Sequence, residues 1–172
     1  MTRTAVTLGA TALWALGIAA PAAAQSARAD IVNDKGAKIG TATLEQTPHG
    51  VLITVDVSQL PPGPHAFHIH EVGKCEPPFA SAGGHYNPGA KKHGMKNEAG
   101  MHAGDFPNLD VPQSGATRVE VFTEEVTVGP GPTSVFDADG SAIVIHAGPD
   151  DYQTDPAGNA GARIACGVIS KP

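Results

Sequence analysis

Positive charge is scarce in this chain: 172 residues carry 11 Lys and Arg against 17 Asp and Glu, a formal net charge of −6. Loss of residues 1–24, which contain only Arg3, would take that to −7. No basic field exists for nucleic acid, so the class of nucleic-acid binders is excluded. Also missing are an internal repeat, a helix-forming stretch of convincing length and enough chain for two ordinary domains, which leaves one globular unit as the expectation. Cysteine is nearly absent, with only Cys75 and Cys166. In an exported protein such a pair reads as a disulfide closing a loop of about 90 residues, worth on the order of 4–5 kcal/mol by loop entropy. Two thiolate metal ligands are the alternative.

What is abundant is Gly (21) and Pro (15), interleaved with β-branched runs such as Val51-Leu52-Ile53-Thr54-Val55. That composition predicts an all-β domain with many turns. One apolar run, 5–20, follows Arg3 and leads into Pro21 and the small residues Ala22-Ala23-Ala24. It reads as a cleavable signal peptide over 1–24, with the mature domain at 25–172; a membrane anchor is the alternative, disfavoured by the short run and the small-residue cleavage site. The mature protein is then free of the membrane and exported, to the periplasm or beyond.

Strand signals fall at 27–32 and 38–45 around the turn Asn33-Asp34-Lys35-Gly36, and at 50–57. Three prolines and a glycine make 59–64 a loop, and 65–71 resumes an extended pattern. Periodicity then vanishes from 72 to 110. Further strands are expected at 117–122, 125–128, 142–146 after the Asp139-Gly140 turn, and 163–169, with a second irregular stretch at 147–162. A structureless segment as long as 72–110 inside a compact domain is usually functional or disordered, and its histidines argue for function.

In Phe67-His68-Ile69-His70 an extended backbone puts both imidazoles on one face and both apolar side chains on the other, so Phe67 and Ile69 are expected in the core. The long loop adds His85, His93, His102 and Asp105, and the strand at 142–146 adds His146. Imidazole nitrogens joined by one carboxylate suit copper and zinc, whereas magnesium or calcium would call for oxygen-rich sites. His65 and His49 stay outside the metal sets.

His65-Ala66-Phe67-His68-Ile69-His70-Glu71, Gly84-His85-Tyr86-Asn87-Pro88, Lys92-His93-Gly94, His102-Ala103-Gly104-Asp105 and 158–167 (GNAGARIACG) together resemble copper,zinc superoxide dismutase, its exported bacterial branch above all. The resemblance runs from about residue 28 to the C-terminus. It implies a Greek-key β-barrel or sandwich of about eight antiparallel strands with long metal-binding and active-site loops. It further implies copper on His68, His70, His85 and His146, zinc on His85, His93, His102 and Asp105, and His85 shared between them. Asp150 is similar to a carboxylate that orients one ligand of each metal, and Arg163 to the arginine beside the open copper position. The implied reaction is dismutation of superoxide, the substrate, with His85 passing a proton. Departures from the eukaryotic pattern are an insertion containing Glu76-Pro77-Pro78-Phe79 and a short loop before Arg163.

Because a net charge of −7 repels an anion, a local positive focus is required, with Arg163 first and Lys74, Lys91, Lys92 and Lys96 as further candidates. Two rival classes share some of these features: a protein that buffers copper or zinc without turnover, and a disulfide-stapled β-sandwich for adhesion. A buffer would not need Arg163 and Asp150 where they stand, and six metal-competent histidines with an aspartate count against the adhesive sandwich. Monomer and homodimer both fit the sequence.

Overall fold

The computed structural model describes residues 25–172; the signal-peptide reading of 1–24 lies outside the described residues. Alternation of apolar and polar side chains builds the sheet. In β1 (Ser26–Asn33) Ala27, Ala29 and Ile31 are buried between exposed neighbours, and in β3 (Gly50–Val57) Val51, Ile53, Val55 and Val57 turn inward. Hairpins join β1 to β2 (Lys38–Thr47) and β2 to β3. Asn33 makes the first turn by accepting the backbone N–H groups of Lys35 and Ala37 on its Oδ1.

The remaining strands are β4 (Gly63–His65), β5 (Phe67–His70), β6 (Leu109–Val111), β7 (Thr117–Thr123), β8 (Ala142–His146) and β9 (Arg163–Val168). They form a seven-stranded antiparallel sheet in the order β5-β8-β9-β1-β2-β3-β7, plus the pair β4-β6. That small pair closes the barrel. β4 runs through Ala66 into one edge strand, β5, while β6 leads through the turn at 112–116 into the other, β7. Leu109, Val111, Phe67, Ile69, Ile143, Ile145 and the inward residues of β1–β3 then share one core.

Two sequence expectations are corrected. The proline-rich loop at 59–64 contains the start of β4, because a two-stranded edge tolerates Pro64, which has no N–H to contribute. No strand forms at 125–128: Thr127 and Val128 bond to the Gln46 side chain, and Pro130 and Pro132 stop a ladder from extending beyond the single Thr127–Ser134 bridge. Inside the long loop a short 3-10 turn, Ala80–Ala82, also escaped the sequence reading. Among the described residues no helix is long and apolar enough to cross a membrane.

Candidate metal centre

Strand β5 is buried on both faces, with Phe67 and Ile69 in the core as expected and His68 and His70 opposite them. As an edge strand it offers free backbone groups, which the long loop takes up. Tyr86 N donates to Ile69 O (2.8 Å), Ile69 N to Gly104 O (3.0 Å) and Gly104 N to Tyr86 O (3.0 Å). A side chain at 104 would collide with Ile69 O, so only glycine allows this docking. Phe106 stacks on Phe67 at 5.2 Å, which adds about 0.5–1.5 kcal/mol to its burial and anchors the neighbouring Asp105. The loop thereby lays His85 and Asp105 against His70 and His68.

Strand β8 delivers His146 from the same side. Ile143 and Ile145 point into the core, while Ala142, Val144 and His146 point outward. All six histidines and both aspartates of the expected site converge and are buried. The ligand atoms of His68, His70, His85 and His146 lie within 4.8 Å of one another, as do those of His85, His93, His102 and Asp105. His49 is exposed, and His65 is bound to the carbonyls of His146 and Pro61, so both stay outside.

Hydrogen bonds decide which nitrogen each ring offers. A carboxylate can only accept, so His68 Nε2 must donate to Asp150 Oδ2 (2.9 Å), which leaves the lone pair on Nδ1. His70 Nδ1 donates to Gly83 O (3.1 Å) and His146 Nδ1 to Gly161 O (3.3 Å), which leaves Nε2 free on both. Burial, chiefly, pushes His68 down to about 3, His70 to about 2 and His146 to about 4, so these rings are neutral donors at neutral pH. Among the described residues five buried side-chain polar atoms lack a hydrogen-bond partner. Four are His68 Nδ1, His70 Nε2, His85 Nε2 and His146 Nε2. Left unpaired, such atoms cost about 1–3 kcal/mol each, whereas one soft cation would satisfy all four.

The second set has a different geometry. Nδ1 of His85, His93 and His102 lies 2.8, 3.1 and 3.4 Å from Asp105 Oδ1, and His102 Nδ1 is 3.4 Å from His85 Nδ1. A tetrahedral zinc with ligand bonds of about 2.0–2.1 Å has ligand-to-ligand edges of about 3.3 Å, so the donor set fits that ion. Gly94 N and His102 N hold Asp105 Oδ2, leaving Oδ1 for the centre. Burial opposes charge on His93, but hydrogen bonds to Asp105 and Asp150 outweigh it and raise the ring to about 9. Burial likewise opposes ionisation of Asp105 and is overcome by its histidine partners, which hold the carboxyl well below the usual range.

Asp150 links the two sets. Its Oδ2 accepts from His68 and its Oδ1 from His93, both at 2.9 Å, and Tyr152 N also donates to Oδ1. Asp151, the next residue, instead caps its own turn through Thr154 and Asn159.

Beyond this geometry, residues 38–169 match the family described as Copper/zinc superoxide dismutase (SODC). The chain belongs to the copper/zinc superoxide dismutase family. It is 58% identical over 144 residues, 82% of this chain and 85% of the relative, to Superoxide dismutase Cu-Zn 1 of Aquifex aeolicus. To Superoxide dismutase Cu-Zn of Caulobacter vibrioides it is 44% identical over 148 residues, 84% and 85% of the two chains. A crystal structure of a SOD-like protein from Bacillus subtilis is similar with a TM-score of 0.79 at 39% identity, covering 82% of this chain and 96% of that one.

Several residues of this dismutase chain that shape the site carry no motif. Asn108 clamps the backbone of Asp150, donating from its Nδ2 to Asp150 O (3.0 Å) and accepting from Asp150 N on its Oδ1 (2.8 Å). Its own N–H donates to the Tyr152 hydroxyl (2.8 Å). Arg163 donates to Phe79 O (2.7 Å) and Gly83 O (2.6 Å), inside the insertion. Of the candidate lysines, Lys92 pairs with Asp155 at 3.0 Å and Lys96 lies over the Tyr152 ring.

Proposed function

We propose that His68 Nδ1, His70 Nε2, His85 Nε2 and His146 Nε2 hold copper, that Nδ1 of His85, His93 and His102 with Asp105 Oδ1 hold zinc, and that His85 therefore serves both ions. As a copper/zinc superoxide dismutase the chain converts two superoxide ions and two protons into dioxygen and hydrogen peroxide. Copper supplies the one-electron chemistry by alternating between two oxidation states, while zinc, which has no redox chemistry, fixes structure. The observation carrying the residue roles is the convergence of four unpartnered imidazole nitrogens beside a guanidinium.

Within that reading Arg163 supplies a permanent positive charge next to His70 and His146, lowering both rings, and draws the anion to the mouth of the site. His85 would take up and pass on a proton at Nε2 when that nitrogen is not engaged by copper. Burial holds this ring below the ordinary imidazole range, so a proton taken there is readily passed on. Residues 1–24 direct export to the periplasm and are then removed, consistent with the Cys75–Cys166 disulfide.

The test is to measure superoxide removal by purified protein whose copper and zinc content is known; fully metallated protein without activity overturns the assignment. Steering gives a second measurement. Rates should fall as ionic strength rises, and Arg163→Ala should lose about tenfold or more while keeping both metals. A rate that ignores salt in the parent protein would remove Arg163 from this role.

Asp150→Asn should weaken both metals by about 10–100-fold, read by competition with a chelator. An amide has one acceptor oxygen and presents N–H to the other ring, so His68 and His93 cannot both stay oriented. Loss of affinity for one metal alone would show that the two are not tied through this carboxylate.

A further inference from the structure

Building on the proposed roles of copper and Arg163, we infer that Phe79, in the insertion after Cys75, is the positioning residue that aims the Arg163 guanidinium. Phe79 is fully buried in a small cluster of its own on the outer face of the barrel, with Ala82, Ala142, Val144 and Cys166, against which Val32 and Cys75 also pack. Its backbone is left-handed, φ 69° and ψ 16°, which a bulky side chain adopts only when its surroundings compel it. Here the compulsion is burial of the ring. The strained turn faces Phe79 O toward Arg163 Nη1, and the 3-10 turn that follows brings Gly83 O to Nη2.

Both carbonyls thus hold one guanidinium at 2.6–2.7 Å. Gly83 O serves a second donor, His70 Nδ1 at 3.1 Å, so the same turn also orients a copper-set ring. Hydrogen bonds from Val72 N to Ala82 O and from Gly84 N to the Glu71 carboxylate dock the far end of the turn on the barrel. At the near end the Cys75–Cys166 disulfide ties the chain to β9, and Phe79 is the one fully buried side chain between Cys75 and Ala82. Without the ring, the left-handed conformation keeps only the local backbone bonds from Phe79 N to Glu76 O and from Ala82 N to Phe79 O, and the Phe79 carbonyl shifts away from the guanidinium. Arg163 then keeps its charge and loses its aim.

This predicts coupling that general loosening of the fold would not produce. In the copper- and zinc-loaded protein, Phe79→Ala should lower kcat/KM for superoxide about tenfold and weaken binding of azide, a small anion read from the copper absorption spectrum, by a similar factor. Metal content should be unchanged. In an Arg163→Ala background the same substitution should cost neither activity nor azide affinity, because its effect passes through the guanidinium. Phe79→Leu, which keeps an apolar anchor, should recover most of the loss. If the alanine variant does not fold, Phe79→Leu carries the test, with a twofold to threefold loss that vanishes in the Arg163→Ala background. Equal losses with and without Arg163, loss of copper, or unchanged azide affinity each overturn the inference. A parent protein that binds azide but does not dismute superoxide would instead defeat the proposed function and leave the azide cycle standing.

Discussion

Replacing His146 with alanine is expected to strip the protein of copper and of dismutase activity while leaving zinc in place. His146 contributes Nε2 to the four-imidazole set and nothing to the set around Asp105. Its backbone already serves the fold independently of the ring, with His146 N donating to Ala66 O and His146 O accepting from His65 Nδ1. Alanine preserves both, so β8 should keep its register. Changes one shell out from a metal cost about 10–100-fold, so deleting a ligand should cost more than about a hundredfold in copper affinity. Elemental analysis after loading with both metals, together with the activity of the same sample, checks the expectation. Copper and activity that survive the substitution would remove β8 from the site. Joint loss of zinc and copper would mean that the two pockets cannot be filled separately.

Much of the architecture was open to inspection of the chain because its strands are two-sided. Ala27, Ala29 and Ile31 alternate with Ser26, Arg28 and Asp30, and that period survives folding unchanged. The His-x-His of β5 follows from the same rule, since the residues that fill the core are also the ones that leave both imidazoles outside. The β4-β6 pair escaped because its signal is long-range. Gly63 meets Val111 across a gap that no local pattern spans, and proline there reads as loop until the partner is known.

Parts of the site were hidden for a different reason. Which nitrogen a ring offers depends on what faces the other nitrogen, and those partners are backbone carbonyls such as Gly83 O and Gly161 O, which carry no side-chain signature. Asn108 reads as an ordinary loop amide until Asp150 is brought against it, 42 residues further along the chain. The insertion with Phe79 stood out as a departure, but that its backbone meets Arg163 is a fact of folding. A glycine carries the same lesson. At 158 any side chain would collide with the Asp150 carboxylate, so the loop before Arg163 closes over the carboxylate only because glycine stands there.

The adhesion reading fails on burial. Imidazoles that merely decorate a sandwich would sit in water, whereas His68, His70 and His93 are almost wholly excluded from it, and the unpartnered nitrogens of His68, His70, His85 and His146 converge. A metal buffer would satisfy those lone pairs equally well, so the distinction rests on Arg163. Placing a half-buried guanidinium against copper-set imidazoles lowers their affinity for any cation, which is a defect in a storage site. The same charge is an asset where the substrate is an anion.

Removing the disulfide should produce the largest loss of stability of any change that leaves the metal donors intact. Cys75 and Cys166 lie 91 residues apart in sequence, and a closed loop of that size restricts the unfolded chain by about 4–5 kcal/mol on the entropic estimate. For a domain of this length that corresponds to a fall in Tm of about 10–20 °C. The paired substitutions Cys75→Ala and Cys166→Ala are the appropriate test, because Cys166 is buried and a serine hydroxyl there would want a partner. The native state should lose more than a tether. Both sulfurs pack on the cluster around Phe79, so without the bridge the turn that holds Arg163 and His70 is anchored only by that cluster and its hydrogen bonds. Thermal unfolding should be compared in metal-free and metal-loaded samples. Cations that bind only the folded chain raise both midpoints, and in the bridgeless variant part of their binding energy goes into ordering a looser loop. The stabilisation by copper should therefore be smaller in the variant than in the parent, with zinc less affected because its ligands leave that loop at His85. A Tm difference under about 5 °C in the metal-free pair would show that the unfolded chain gains little freedom when the bridge is cut.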